Sequence, residues 1–97
     1  MNDKLFSFFL ENNWKVQNNE KQAFKVFEFE NFKRAFSWMT SVAFEAENKD
    51  HHPEWKNIYN KVEVTLTTHD TGKLSEKDVL LAQVMDKEFE KYNYKAR

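Results

Sequence analysis

The clearest periodic pattern in the sequence follows Asn31. Apolar residues recur there at steps of three and four positions: Phe32, Ala35, Phe36, Met39, Val42, Ala43 and Ala46. This spacing places them on one face of an α-helix, which is predicted to end at about Glu47 or Asn48. The side-chain oxygen of Asn31 can accept a hydrogen bond from a backbone N–H of the first turn and so cap the helix. Trp38 and Phe44 lie off this stripe and are candidates for exposed apolar side chains.

Alternation of apolar and polar residues predicts four short strands. They cover residues 14–16, 23–29, 55–59 and 61–68. Asn18 and Asn19 separate the first two strands, and Asn60 separates the last two, where tight turns are needed. In the fourth strand the apolar residues face one way: Val62, Val64 and Leu66. The residues between them are polar, which is typical of an antiparallel sheet covered on one face.

Two further helices are predicted near the ends of the chain. Residues 3–11 place Leu5, Phe8 and Phe9 at helical spacing. A loop at 70–74 contains Gly72, and Ser75 with Asp78 after it has the spacing of a capping box, with Asp in place of the usual Glu. The last helix then directs four apolar residues inward: Leu81, Ala82, Met85 and Phe89. A polar tail at 91–97 follows.

This order of elements predicts an α+β fold. A four-stranded antiparallel sheet with about three helices packed on one face is the simplest arrangement that joins helix, two strands, long helix, two strands and helix. The other face of the sheet, or one of its edges, would remain open. A homodimer is the simplest way to cover it, and it would add stability to a domain of this size.

The composition is that of one globular domain spanning residues 1–97. Apolar residues make up 40% of the chain and include ten Phe and three Trp, enough to form a core. Fifteen basic and sixteen acidic residues nearly cancel, so the net charge gives no bulk electrostatic attraction to nucleic acid or an anionic membrane. The absence of cysteine excludes disulfides and a thiol nucleophile.

The apolar run at 5–10 is too short to span a membrane and lacks a signal-peptide cleavage pattern, so a cytoplasmic protein is expected.

The histidines are the candidate chemistry. His51 and His52 follow the long helix, and His69 ends the last strand. Side chains at the ends of elements often converge on one cleft, and an imidazole can donate and accept protons near neutral pH. Carboxylates accompany them at Glu47, Asp50 and Asp78. A carboxylate next to an imidazole can fix its tautomer. The residues therefore suit general acid–base work on a heterocycle.

Simpler interpretations stand beside this one. A pair of histidines on a surface loop is more often solvated and inactive. A metal site built from His51, His52, His69 and a carboxylate is a second alternative, although two adjacent loop residues rarely point at one ion. Trp55 and Tyr59 could stack on a flat ligand, but aromatic residues in a half-buried strand more often belong to the core. Asp78 could serve only as a member of the capping box.

The segment from Glu47 to Trp55, ENKDHHPEW, resembles the pterin-4a-carbinolamine dehydratases, a family whose vertebrate member is also the dimerisation cofactor of a homeodomain transcription factor. The family signature is an acidic residue, two adjacent histidines, a proline, an aromatic residue, and a distant His and Asp. This sequence matches it at seven positions: Glu47, His51, His52, Pro53, Tyr59, His69 and Asp78. The segments 59–62, 66–69 and 74–78 are also similar to the family.

The resemblance implies a reaction and a set of roles. Such enzymes expel the hydroxyl of a 4a-hydroxytetrahydropterin as water and give the quinonoid dihydropterin. By position, His51 and His69 are similar to the acid–base histidines and His52 to a histidine that mainly binds substrate. The resemblance also implies a set of pocket residues: Glu47, Asp50, Pro53, Trp55, Tyr59, Lys77 and Asp78. Lys77 stands where some members carry Arg.

The resemblance further implies no metal and no organic cofactor, because the ring nitrogen already activates the departing hydroxyl. It implies a homodimer or homotetramer and a functional link to an aromatic amino-acid hydroxylase, which makes the carbinolamine in tetrahydrobiopterin recycling. It also implies an alternative of another class, a protein-binding or assembly module in which catalysis is secondary. Phe44 and Trp38 are the candidates for such a binding surface.

Overall fold

The computed structural model describes residues 3–93 and, for Asp3, Leu5 and Phe6, the backbone alone. Seven elements follow one another: α1 (Asp3–Glu11), β1 (Lys15–Gln17), β2 (Gln22–Glu28), α2 (Phe32–Asn48), β3 (Glu54–Ile58), β4 (Lys61–Leu66) and α3 (Glu76–Tyr92). The strands form one antiparallel sheet in the order β1-β2-β4-β3. The helices pack on this sheet, and the predicted α+β fold is confirmed.

The bounds of the elements differ from the predicted ones by one or two residues, which is the usual uncertainty of such predictions. The strands predicted at 14–16, 23–29 and 55–59 are each displaced by one residue, and the fourth ends at Leu66. The side chain of Leu5 and the tail beyond residue 93 lie outside the described residues. Over residues 3–93, none of the helices combines the length and the apolar character needed to cross a bilayer.

The core lies between the helices and one face of the sheet. β2 pairs with β4 from Ala23 opposite Leu66 to Glu28 opposite Lys61. On the core side of β4 the predicted residues are all buried: Val62, Val64 and Leu66. Phe27 of β2 lies directly opposite Val62, and its ring packs against Trp14 just before β1, Trp38 of α2 and Phe89 of α3. Because burial of apolar area stabilises a fold in proportion to that area, this aromatic cluster contributes to the stability of the domain.

The buried face of α2 is rotated from the predicted one. Its buried residues are Ala35, Trp38, Val42 and Ala46. Trp38, predicted as an exposed candidate, is 0% exposed: its ring lies 4.5 Å from that of Phe27, and its Nε1 donates to the carbonyl of Met85 at 3.0 Å. Phe32 and Phe36, predicted as core, are half exposed, and Ala43 is exposed as well. The helix has two apolar faces, and packing buries the face that carries Trp38 together with the small side chains of Ala35 and Ala46.

A partly buried ion pair ties the N-terminal half of the sheet to α3. Lys25 Nζ donates to Asp86 Oδ1 and to the carbonyl of Asn12, both at 2.8 Å. Trp14 Nε1 donates to the second oxygen of Asp86 at 3.1 Å. The ammonium also lies over the rings of Trp14 and Phe27. These contacts hold the middle of α3 against the sheet. The first turn of the same helix carries Asp78.

Candidate functional site

The end of α2 aims His51 at the interior. The N–H of His51 donates to the carbonyl of Ala46 at 3.0 Å, and the N–H of Asp50 donates to that of Glu47 at 3.1 Å. This pair of bonds is a Schellman motif, which requires a left-handed residue after the helix. Asp50 takes that position with φ +51°. The motif reverses the chain within two residues, so that His51 is buried while Asp50 stays exposed.

His51 forms a buried pair with Asp78. Its Nε2 lies 2.6 Å from Asp78 Oδ1, and the two side chains are 10% and 0% exposed. The second oxygen, Oδ2, accepts from Thr68 Oγ1 at 2.7 Å and from the N–H of Ser75 at 2.9 Å. The predicted capping box of Ser75 and Asp78 is therefore present. Asp78 serves both as cap and as partner of the histidine, where the sequence left these two roles as alternatives.

The geometry around Asp78 assigns the tautomer of His51. A carboxylate accepts and does not donate, so the proton in the His51–Asp78 contact sits on Nε2. In the neutral imidazole this leaves Nδ1 without a proton. One nitrogen is thus held by the protein, and the other remains available for proton exchange with a ligand.

A tight loop after β4 places His69 at the same end of the sheet. Thr68 pairs with Lys73 in an isolated bridge, and the N–H of Gly72 donates to the carbonyl of Thr68 at 2.9 Å. Gly72 has φ +69°, a conformation that glycine adopts without strain. His69 is 75% exposed, and its Nε2 lies 3.4 Å from Glu54 Oε2 at the start of β3. The loop therefore brings the third histidine to the first residue of the edge strand.

His52, the remaining histidine, is also paired with a carboxylate. His52 Nε2 lies 2.9 Å from Oε1 of Glu47, which is in the last turn of α2. Both side chains are exposed. Each of the three histidines thus has its own acidic partner, one pair buried and two at the surface, and only the buried pair is held by further hydrogen bonds from Thr68 and Ser75.

One cleft joins these groups. It has a volume of about 350 Å³, which falls within the roughly 300–1,000 Å³ of small-molecule sites. All three histidines line it, together with six further residues: Asp50, Pro53, Glu54, Thr68, Asp70 and Lys77. Glu47 and Asp78 do not line the cleft themselves but contact two of its histidines. Residues far apart in the sequence therefore meet around a space large enough for a bicyclic ring.

Besides Glu47 and Asp78, two more of the predicted pocket residues do not line this cleft. Trp55 points to the core side of β3, with its ring 6.1 Å from that of Trp38. Tyr59 lies in the β3–β4 turn with φ +51° and is 63% exposed. Because β3 runs away from the cleft at about 3.3 Å per residue, Tyr59 is at the opposite end of the hairpin. Within a single chain Tyr59 therefore lies away from the cleft, and its role in substrate binding stays a prediction.

Glu54, Thr68 and Asp70 line the cleft but were not predicted from the sequence; Asp70 directly follows His69. Glu54 directly follows the His-His-Pro segment, and Thr68 directly precedes His69. Adjacency to a candidate histidine was the signal that could have identified them. Among the described residues, no group of three or more His or acidic side chains is arranged to hold a metal ion.

Comparison with known proteins yields one family. The sequence model described as pterin 4 alpha carbinolamine dehydratase matches residues 2–88. A protein of Jannaschia sp. (strain CCS1), provisionally named pterin-4-alpha-carbinolamine dehydratase, is 58% identical over 74 residues, which are 76% of this chain and 76% of that protein.

Two solved structures share the fold. A transcriptional coactivator/pterin dehydratase from Brucella melitensis superposes with a TM-score of 0.83 at 33% identity, over 91% of this chain and 96% of that one. A pterin dehydratase-like protein identified as a RuBisCO assembly factor in the alpha-carboxysome gives a TM-score of 0.68 at 21% identity, over 78% of this chain and 88% of that one. At that identity the second likeness concerns the fold alone.

Proposed function

Because this chain belongs to the pterin-4a-carbinolamine dehydratase family, we propose that it converts 4a-hydroxytetrahydropterin to quinonoid dihydropterin and water. The observation that carries the proposal is the cleft that gathers His51, His52 and His69, each with an acidic partner. The natural context would be recycling of the tetrahydropterin that an aromatic amino-acid hydroxylase has oxidised.

The reaction needs proton transfers at two neighbouring atoms. The C4a–O bond breaks as the departing hydroxyl receives a proton and leaves as water, the proton on N5 is lost, and a C4a=N5 double bond forms. His51 and His69 are assigned to these two transfers. His51 can exchange a proton through Nδ1 while Asp78 fixes its Nε2, and His69 works from the exposed side of the cleft. His52, beside Glu47, is assigned mainly to substrate binding. The chemistry uses these side chains without a metal or organic cofactor.

An assay of dehydration tests the proposal directly. The purified full chain is expected to accelerate formation of quinonoid dihydropterin from 4a-hydroxytetrahydropterin, followed by its ultraviolet absorbance. Free imidazole, supplied at the concentration of the protein's histidines, is the matched control, because it provides the same groups without their arrangement. A rate with protein no higher than the rate with imidazole would contradict the proposed activity.

A second role, self-association, is favoured by the exposed face of α2. Phe32, Phe36 and Phe44 project from it, with Phe36 56% and Phe44 69% exposed. A cluster of exposed aromatic residues on so small a domain is typical of an interface. We infer that this face, defined by Phe32, Phe36 and Phe44, joins copies of the chain in a homodimer or homotetramer. The alternative occupant is a different protein, for which catalysis would be secondary.

Substitution of two of these residues tests the assembly. The wild-type chain is expected to sediment as a dimer or larger, and a Phe36→Ser, Phe44→Ser double variant as a monomer, since it loses most of the exposed aromatic area. Leu10→Ser is the matched control, because Leu10 is similarly exposed on α1. A double variant that keeps the wild-type mass would rule out this face as the interface. If the wild-type chain is a monomer that retains a heterologous protein through the same residues, the alternative occupant is the correct one.

A further inference from the structure

The cleft carries a marked excess of negative charge. Among the described residues that line it, Lys77 is the one cation, and three carboxylates face it from Asp50, Glu54 and Asp70. Asp78 and Glu47 add two more carboxylates, in contact with His51 and His52 respectively. Five carboxylates thus accompany one ammonium and three imidazoles. Even with every imidazole protonated, the site therefore keeps at least one net negative charge.

This charge suits the hydrogen-bonding groups of a reduced pterin. The 2-amino group, N3, N5 and N8 of a tetrahydropterin all carry hydrogens, so most of the ring edge consists of donors. Carboxylates only accept, and a charged acceptor forms stronger hydrogen bonds than a neutral one. A ring rich in donors and a cleft rich in acceptors are complementary. The same carboxylates repel any anionic group that enters with the ring.

We propose that Asp50, Glu54 and Asp70 restrict this site to pterins whose side chain carries no phosphate or carboxylate. The inference rests on the proposed function, because it concerns which pterins enter the dehydratase cleft. Phosphate esters of pterins and folate-type pterins with an acidic tail are excluded by repulsion at the rim. The reaction that supplies the substrate must therefore use a tetrahydropterin with an uncharged side chain.

Binding of two pterins that differ only in charge tests the inference. The probes are an oxidised pterin with an uncharged trihydroxypropyl side chain and its 3′-phosphate ester, both stable and fluorescent. Titration of the full chain at about 0.02 M salt, where charges are weakly screened, is expected to give an affinity about ten-fold or more lower for the ester. The ratio is expected to shrink at about 0.5 M salt, where screening extends only a few Å.

Substitutions identify the residues responsible. Asp50→Asn and Asp70→Asn are expected to lower the ratio several-fold, and the Asn at position 50 tolerates the left-handed conformation found there. Glu28→Gln is the control, because Glu28 is an exposed carboxylate at the far end of the sheet, opposite Lys61. It is expected to leave the ratio unchanged.

The outcomes separate the two proposals. Equal or tighter binding of the ester, with the uncharged pterin also bound, would overturn the charge selection and leave the dehydratase proposal intact. An unchanged ratio in the two Asp variants would overturn the assignment to those residues. If neither pterin binds, the proposed function fails, and the charge selection fails with it.

Discussion

Replacing His51 or His69 with alanine is expected to slow dehydration by about 10²-fold or more, because each removes one of the two proton transfers. Steady-state rates with 4a-hydroxytetrahydropterin measure this loss. His52→Ala is the matched control: His52 is the immediate neighbour of His51 and is assigned to binding, so its loss is expected to raise KM more than it lowers kcat. Unchanged rates in both the His51 and His69 variants would remove the assigned roles.

The two catalytic substitutions are expected to differ in stability. His69 is 75% exposed, so His69→Ala should leave the urea midpoint close to that of the wild type. His51→Ala removes a donor from the fully buried Asp78, and a buried carboxylate deprived of one hydrogen bond is expected to cost about 1–3 kcal/mol. A His51→Ala protein that is as stable as wild type would show that water replaces the imidazole at Asp78.

The fold could be predicted from the sequence because its local signals agree. Asn31 and Ser75 cap helices where the apolar periodicity begins, and the alternation in β4 matches a sheet with one buried face. Hydrophobic period and turn residues alone establish such elements. The predicted exposure of Trp38 is wrong because α2 carries two apolar faces. Counting apolar positions favoured the face with Phe32 and Phe36, whereas the space above Phe27 and Phe29 admits the larger ring of Trp38.

The site was predictable in its residue types and less so in its shape. The three histidines and Asp78 were identified from the chain, and the structure brings them together. The spacing of two residues in the sequence shows how close they are along the chain, but it does not show in which direction the chain runs between them. Tyr59 is therefore near His52 in sequence and remote from the cleft in space, since β3 carries it away. Glu54 and Thr68 were missed because a residue at a strand end looks structural until its neighbours in space are known.

The backbone conformation of Asp50 could not be predicted from the sequence. Nothing in its sequence context reveals that it occupies the left-handed position of a helix terminus, where glycine is preferred. Aspartate tolerates this conformation better than most residues but pays more strain than glycine would. A carboxylate at a position better suited to glycine fits the role proposed for Asp50 at the rim of the cleft.

Asp78→Asn is expected to damage both stability and activity. Asp78 is 0% exposed, and its two oxygens accept from His51, Thr68 and Ser75. An amide of the same shape has one oxygen, so its NH₂ must face either the imidazole or the donors of the capping box. Either orientation disturbs the hydrogen bonds around this buried side chain, and the free energy of unfolding is expected to fall by about 2–4 kcal/mol. If the amide nitrogen faces His51, the proton moves from Nε2 to Nδ1, and the nitrogen assigned to catalysis is blocked.

The dehydration rate of Asp78→Asn is therefore expected to fall by about 10²-fold or more, comparable with His51→Ala. The ¹⁵N shifts of the His51 ring report its tautomer and separate this cause from a general loss of structure. Thr68→Ser is the matched control, because it keeps the hydroxyl that donates to Oδ2 and removes only a methyl group. It should preserve both the tautomer and the rate. Should Asp78→Asn remain as active as wild type at a temperature where it is folded, the buried carboxylate would be a helix cap alone, and His51 would act without its help.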